Sequence, residues 1–360
     1  MIIDLKKIYI CGSSMTGKAQ MMQLIDGNKD IFTIPYHNFG ISFLLDKFEK
    51  FVINNSYTYF HSKYFNKKDY IKIEIKNNYY NLPIVTLIQY IINNNSCFDF
   101  ILESHYSHKC YSYISDTETK EHEFNININN YINNIYKNLK TFQNNTLNIE
   151  IIENVVFRSF VNSIHGFNDY QNYLICGNNS IDQVHNLINH FKNFKLIIIN
   201  RKILDKVFSI TLRNFYNDYK NKINITDNKL FFILLLINYS GTIINKTSKY
   251  NKLTSNLNHK NILYVDFDEM FKNRDSLLNK IYKFLEIKRL ENKNFQSFLS
   301  EKISNYNPNI KDQYNDDPKN YFSSFEISII NFIILNKPLR IIFSYISRLI
   351  IKFFSIIDDR

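Results

Sequence analysis

Between residues 12 and 18 the chain reads Gly-Ser-Ser-Met-Thr-Gly-Lys, directly behind the apolar run Ile8-Tyr9-Ile10-Cys11 and ahead of a stretch with helical character. Strand, tight glycine loop and helix start together form an anion cradle. The N–H groups at a helix start lack intrahelical acceptors and carry the positive end of the helix dipole. Gly12 and Gly17 let the backbone curl around a ligand without Cβ contact, and Lys18 adds a formal charge. Ala19 stands where a magnesium-dependent phosphate loop carries the Ser or Thr that ligates the metal. A second pair points to the same chemistry. Arg201 directly follows the continuous apolar run Leu196-Ile197-Ile198-Ile199, and Ser209 lies eight residues further on. Two helical turns separate them, so both side chains could meet one phosphate.

The elements that must position these groups follow from periodicity. Strands are expected at 2–11, 31–34, 98–102, 195–200 and 262–265. Helices are expected at 17–26, 149–165, 181–192, 203–219, 229–250 and 275–286. Residues 40–95 read as mostly helical, and 115–150 as a polar, Asn-rich helix and loop. Strands alternating with helices predict a three-layer α/β fold with a parallel sheet covered on both faces. Ligands of such sheets sit beyond the C-terminal strand ends, where the loops after Cys11 and Asn200 both lie. The chain closes with two apolar helical stretches, 325–335 and 339–357. In the second, Arg340, Ser344, Ser347, Arg348, Lys352 and Ser355 form one polar stripe. One reading docks this helix on the core or a partner subunit. The other lays it on a membrane surface, its basic residues towards the headgroups.

Bulk properties narrow the function classes. The 360 residues are 45% apolar, enough for a substantial core, and carry a net charge of +11. A basic chain attracts anions, but the lysines are dispersed with no run of five, which argues against a nucleic-acid-binding tail. The cysteines, Cys11, Cys97, Cys110 and Cys176, form no C-x-x-C pair, so no zinc site is expected. Reduced thiols fit a cytoplasmic compartment, and the N-terminus runs into the first strand with no room for a signal peptide.

The motifs together resemble the sulfotransferases that use 3'-phosphoadenosine 5'-phosphosulfate (PAPS). That family carries a loop of the form G-S-x-[RK]-[ST]-G-T-T, then a helix and an L-D-G-H-P turn. Here Gly12-Ser13-Ser14-Met15-Thr16-Gly17-Lys18-Ala19 is followed by Leu24-Ile25-Asp26-Gly27-Asn28. The family's 3'-phosphate motif is a strand ending in Arg with Ser eight residues on, matched by Arg201 and Ser209. Its later strand and helix are matched by Asp266-Phe267-Asp268-Glu269-Met270 and Phe284-Leu285-Glu286-Ile287.

The resemblance implies a fold of the P-loop NTPase and sulfotransferase type over 1–300. Segment 40–180 would then lie on the acceptor side, and helices at 320–360 would form an extension. It implies that Gly12, Ser13, Thr16, Gly17, Lys18 and Ala19 hold the 5'-phosphosulfate, and Arg201 and Ser209 the 3'-phosphate, with no metal. The acceptor would be a small molecule, glycan or lipid. Two family cations are missing. Met15 replaces the loop Arg or Lys, leaving Lys18 as the substitute catalytic cation, and Cys176-Gly177-Asn178 replaces a Lys-Thr-Pro segment. Relatives deprotonate the acceptor with Glu or His. His37, in Pro35-Tyr36-His37, is the preferred base, and His105, beside Glu103, the second candidate. Two other readings stay open. One is a non-catalytic descendant of the fold. The other is a P-loop kinase using Lys18 and, as metal ligand, Asp266, against which Ala19 argues.

Overall fold

A computed structural model describes residues 6–12, 17–25, 31–37, 45–53, 69–94, 108–111, 121–124, 128–163, 173–178, 184, 188–189, 191–219, 229–255, 260–288 and 318–358. The elements run β1 (Lys6–Cys11), α1 (Lys18–Ile25), β2 (Ile31–His37), α2 (Leu45–Ile53), β3 (Tyr70–Ile75), β4 (Asn78–Pro83), α3 (Ile84–Asn94), β5 (His108–Tyr111) and β6 (Glu121–Phe124). Then come α4 (Ile128–Lys140), β7 (Thr146–Leu147), α5 (Ile149–Val161), β8 (Tyr173–Asn178), β9 (Phe194–Asn200), α6 (Ile203–Tyr219) and α7 (Lys229–Ser255). The last are β10 (Ile262–Asp266), α8 (Glu269–Lys272), α9 (Arg274–Leu285), α10 (Ser324–Leu335) and α11 (Lys337–Asp358).

Five strands form one parallel sheet in the order β10-β9-β1-β8-β2. Alternate residues face opposite layers. Ile8, Ile10, Ile197 and Ile199 pack with Met21 and Ile25 of α1 and Leu277, Ile281 and Leu285 of α9. Tyr9, Cys11, Leu196 and Ile198 join the opposite core with α3, α5 and Tyr250 of α7. Burial on both sides explains why β9 is an unbroken apolar run. The expected three-layer parallel architecture is therefore the observed one. The chain leaves β1 towards β2 on one flank and leaves β9 towards β10 on the other. The crevice between β1 and β9 is thus the topological switch point of the sheet.

The structure departs from expectation in several places. Residues 40–95 are not mostly helical. They contain the antiparallel hairpin β3–β4, joined by Lys76-Asn77 with φ of 49° and 64°. Ile71, Ile73 and Ile75 are buried while Tyr70 and Lys72 are exposed, a period-two alternation that overrides the helical reading. Residues 121–124, expected in helix or loop, form β6. The sheet takes β8 from inside the 40–180 segment assigned to the acceptor side; Gly177 and Asn178 cut its apolar run short. β2 continues through Pro35 to His37, which an edge strand tolerates because the missing N–H can face away from the sheet. The strand expected at 98–102 lies outside the described residues, as does most of the helix expected at 181–192.

At the C-terminus, α11 begins before Pro338, which sits in its first turn. α10 opens with a capping box: the Ser323 N–H donates to Glu326 at 2.7 Å and the Glu326 N–H to the Ser323 hydroxyl at 3.2 Å. Part of the polar stripe of α11 is engaged by neighbouring helices. Arg340 donates to the Ile334 carbonyl at 2.7 Å, Ser344 to the Ile237 carbonyl at 3.1 Å, and Arg348 to the Asn238 side chain at 3.0 Å. Among the described residues one helix is long and apolar enough to cross a membrane, α7 over Lys229–Lys252, and 44% of its apolar window is buried.

Candidate anion-binding site

β1 and β9 pair in register, Cys11 opposite Ile198, so Gly12 and Arg201 leave the sheet at the same end from adjacent strands. Gly17 has φ of +78°, in the region where glycine is favoured, and its carbonyl accepts the Met21 N–H at 2.9 Å to start α1. Lys18 opens that helix. It is buried, and its ammonium donates to the Gly12 carbonyl at 3.2 Å, closing the loop. Burial pushes the Lys18 pKa down to about 8, with the Cys11 thiol pulling the other way. Burial pushes the Cys11 thiol up to about 12 despite Lys18, so Cys11 is a neutral core residue.

The second loop is tied to the first by a residue that the motif reading passed over. The Phe267 N–H donates to the Asn200 carbonyl at 2.7 Å, which fixes the turn after β10 beside the end of β9. The Arg201 guanidinium lies 4.1 Å from the centroid of the Phe267 ring, in a cation–π contact. The edge of the same ring is packed against Gly17, where a Cβ would stand 2.4 Å from Phe267 Cε2 and 2.8 Å from Met270 Cε. One aromatic ring therefore touches both proposed phosphate loops. Asp268, next in the chain, lies 3.5 Å from both Lys202 and Lys272. Burial raises its pKa, but the two lysines outweigh this and hold the carboxyl below its usual value.

α6 adds a further cation. Lys206 is 2% exposed. Burial and then the nearby Arg201 charge bring its pKa down to about 8. Ser209, three residues on and also buried, shares its helix face. Val207, Phe208, Leu212 and Phe215 of the same helix enter an aromatic core with Phe232 and Phe322. This anchoring sets the rotation of α6. Nothing in the motif pattern singled out Lys206, which follows Asp205 and shares its helix with Arg213.

The remaining sequence-derived candidates fall as follows. Ser13, Thr16, Glu103 and His105 lie outside the described residues. Ala19 lies in the first turn of α1. His37 ends β2, opposite Gly177 of β8, at the same edge of the sheet as Gly12. β2 is two strands from β1, a lateral offset of about 10 Å. Cys176-Gly177-Asn178 ends β8 directly beside β1, with Asn178 opposite Cys11. This end of β8 therefore borders the start of the glycine loop. Asp266 is exposed at the end of edge strand β10, two strands from the glycine loop.

No protein-family model and no curated protein matches the chain. Solved structures do. A sulfotransferase domain from the curacin biosynthetic pathway is similar at 11% identity and a TM-score of 0.36, with 89% of each chain covered. Sulfotransferase STF9 from Mycobacterium avium is similar at 10% identity and a TM-score of 0.38, covering 91% of this chain and 76% of that one. Retinol dehydratase, solved with retinol and PAP, is similar at 10% identity and a TM-score of 0.32, covering 91% of this chain and 80% of that one. The structural neighbours of this chain thus include several sulfotransferases, and its own fold is a parallel sheet with flanking helices.

Proposed function

We propose that the chain binds PAPS across the β1–β9 switch point and transfers its sulfuryl group to a hydroxyl or amine of a carbohydrate, lipid or small molecule. The observation that carries this reading is the Phe267 ring, with the Arg201 guanidinium on its face and Gly17 at its edge. Two anion-binding loops far apart in sequence become neighbours, as a nucleotide charged at both ends requires. Arg201 and Ser209 hold the 3'-phosphate, with Lys206 close to Arg201. The amides at the start of α1, with Gly12, Ser13, Thr16, Gly17, Lys18 and Ala19, hold the 5'-phosphosulfate.

In the transfer step the acceptor oxygen or nitrogen attacks sulfur, and the bond between sulfur and the bridging oxygen of the 5'-phosphate breaks. Adenosine 3',5'-bisphosphate leaves with the bond electrons, and the acceptor proton passes to His37 as base. Lys18 now donates to the Gly12 carbonyl. In this reading it turns to the leaving phosphate and supplies the charge that Met15 cannot.

Calorimetry with adenosine 3',5'-bisphosphate and with ATP, both without metal, tests the binding half. Tight binding of the bisphosphate and at least tenfold weaker binding of ATP is expected. Preference for ATP with magnesium would instead favour the kinase reading. Labelled PAPS with mixed glycan and lipid acceptors tests the transfer half. Binding without turnover on any acceptor, with turnover gained in Met15→Arg, would identify a scaffold that has lost only its loop cation.

A further inference from the structure

α10 packs Ile330 and Ile334 into the aromatic core with Phe322, whereas α11 turns polar side chains towards its neighbours. α11 turns Arg340, Ser344, Ser347 and Arg348 towards α7 and α10, as the hydrogen bonds to Ile334, Ile237 and Asn238 establish. Ser347 is buried and donates to the Phe343 carbonyl at 2.6 Å. The outer face is apolar: Ile342 is 54% exposed, Tyr345 67% and Leu349 55%, at i, i+3 and i+7. α10 repeats the pattern, with Phe325 73%, Ile329 43% and Phe332 64% exposed at i, i+4 and i+7. The two helices meet at a bend of 101°, so these faces extend along two arms. Polar and small side chains between helices, with large apolar ones outside, is the arrangement favoured in an apolar solvent.

Charge identifies the occupant. From residue 318 to 358, the end of α11, the cations are Lys319, Lys337, Arg340, Arg348 and Lys352, and the acids are Glu326 and Asp358. Glu326 is already engaged by the Ser323 N–H and by Lys229 at 3.7 Å. Lys337 is exposed at the bend between the arms. We propose that α10 and α11 form a monotopic docking surface for an anionic lipid bilayer. The apolar faces would enter the headgroup–acyl boundary, with the exposed Lys319, Lys337 and Arg348 held at headgroup level. This goes beyond the transfer reaction and would stand if the nucleotide reading fell.

The chain contains no Trp, so Tyr345→Trp provides a single indole reporter on the proposed face. The full-length variant would be mixed with phosphatidylcholine vesicles, with and without phosphatidylserine, and with the same vesicles carrying brominated acyl chains. We expect a blue-shifted emission that is quenched by the brominated lipid, at least tenfold tighter with phosphatidylserine and weakened by salt. Ile342→Glu with Leu349→Glu should abolish flotation on vesicles while circular dichroism and melting temperature stay unchanged. Tyr345→Trp alone keeps the test open if the double variant fails to fold. An indole that stays solvent-exposed with every vesicle overturns the proposal, as does equal binding with and without phosphatidylserine. So does an indole buried before lipid is added together with a dimer by light scattering, which would make a second copy the occupant.

Discussion

The Phe267 ring is the smallest unit on which the site depends. It contacts Arg201 from one side and leaves no volume for a side chain at Gly17 on the other. Phe267→Ala removes a cation–π contact worth about 0.5–2 kcal/mol and frees the guanidinium to rotate. Calorimetry should show roughly 2- to 30-fold weaker binding of adenosine 3',5'-bisphosphate, with Phe267→Tyr close to wild type. Gly17→Ala fails for two reasons, a left-handed φ of +78° and a Cβ placed 2.4 Å from the ring. It should lower the melting temperature by several degrees and weaken binding more than Phe267→Ala does. In Gly17→Ala with Phe267→Ala the steric part of the cost is relieved. The double variant should therefore be more stable than the sum of the singles predicts, and simple additivity in thermal melts would count against the packing described.

At the level of elements, legibility followed the strength of the local signal. β9 and α6 were readable within a residue, because a doubly buried strand is an unbroken β-branched run and α6 keeps strict helical spacing. The position of Arg201 at a strand end was therefore legible, and so was the glycine loop. The Phe267 contact was not, since it joins residues 250 apart in sequence with no periodic cue. β8 went unread because Gly177 and Asn178 occupy its last two positions. The β3–β4 hairpin was hidden because its turn, Lys76-Asn77, lacks the glycine that usually marks a two-residue loop with both φ values positive. Asn77 sits there at φ 64°, a conformation that glycine adopts without a Cβ penalty. Asn77→Gly should stabilise the hairpin by about 0.5 kcal/mol and slow amide exchange across β3 and β4. A lower melting temperature in that variant would mean that the Asn77 side chain contributes more than its backbone conformation costs.

For the whole molecule, the two buried lysines of the site link folding and binding to pH. Lys18 and Lys206 both fall from an ordinary 10.5 to about 8, with burial as the first cause in each. Between these values the unfolded chain holds protons that the folded chain has released. In the free protein their contribution to stability therefore rises with pH from about 8 to 10.5, and below about 8 their burial costs the most. A bound polyanion reverses the balance by favouring the charged ammonium. Below about 8 both lysines are already protonated, and binding takes up no proton. Above it, binding must recover up to one proton per lysine, and affinity should fall by as much as about tenfold per pH unit for each. Calorimetry in two buffers of unequal ionisation enthalpy separates these regimes. At about pH 7 the heat of adenosine 3',5'-bisphosphate binding should be the same in both, and at about pH 9 it should diverge. Lys206→Met should remove its share of that divergence while Lys18 keeps the rest. A buffer-independent heat at the higher pH would mean that the anion does not reach these lysines, and the nucleotide would then have to lie outside the β1–β9 crevice.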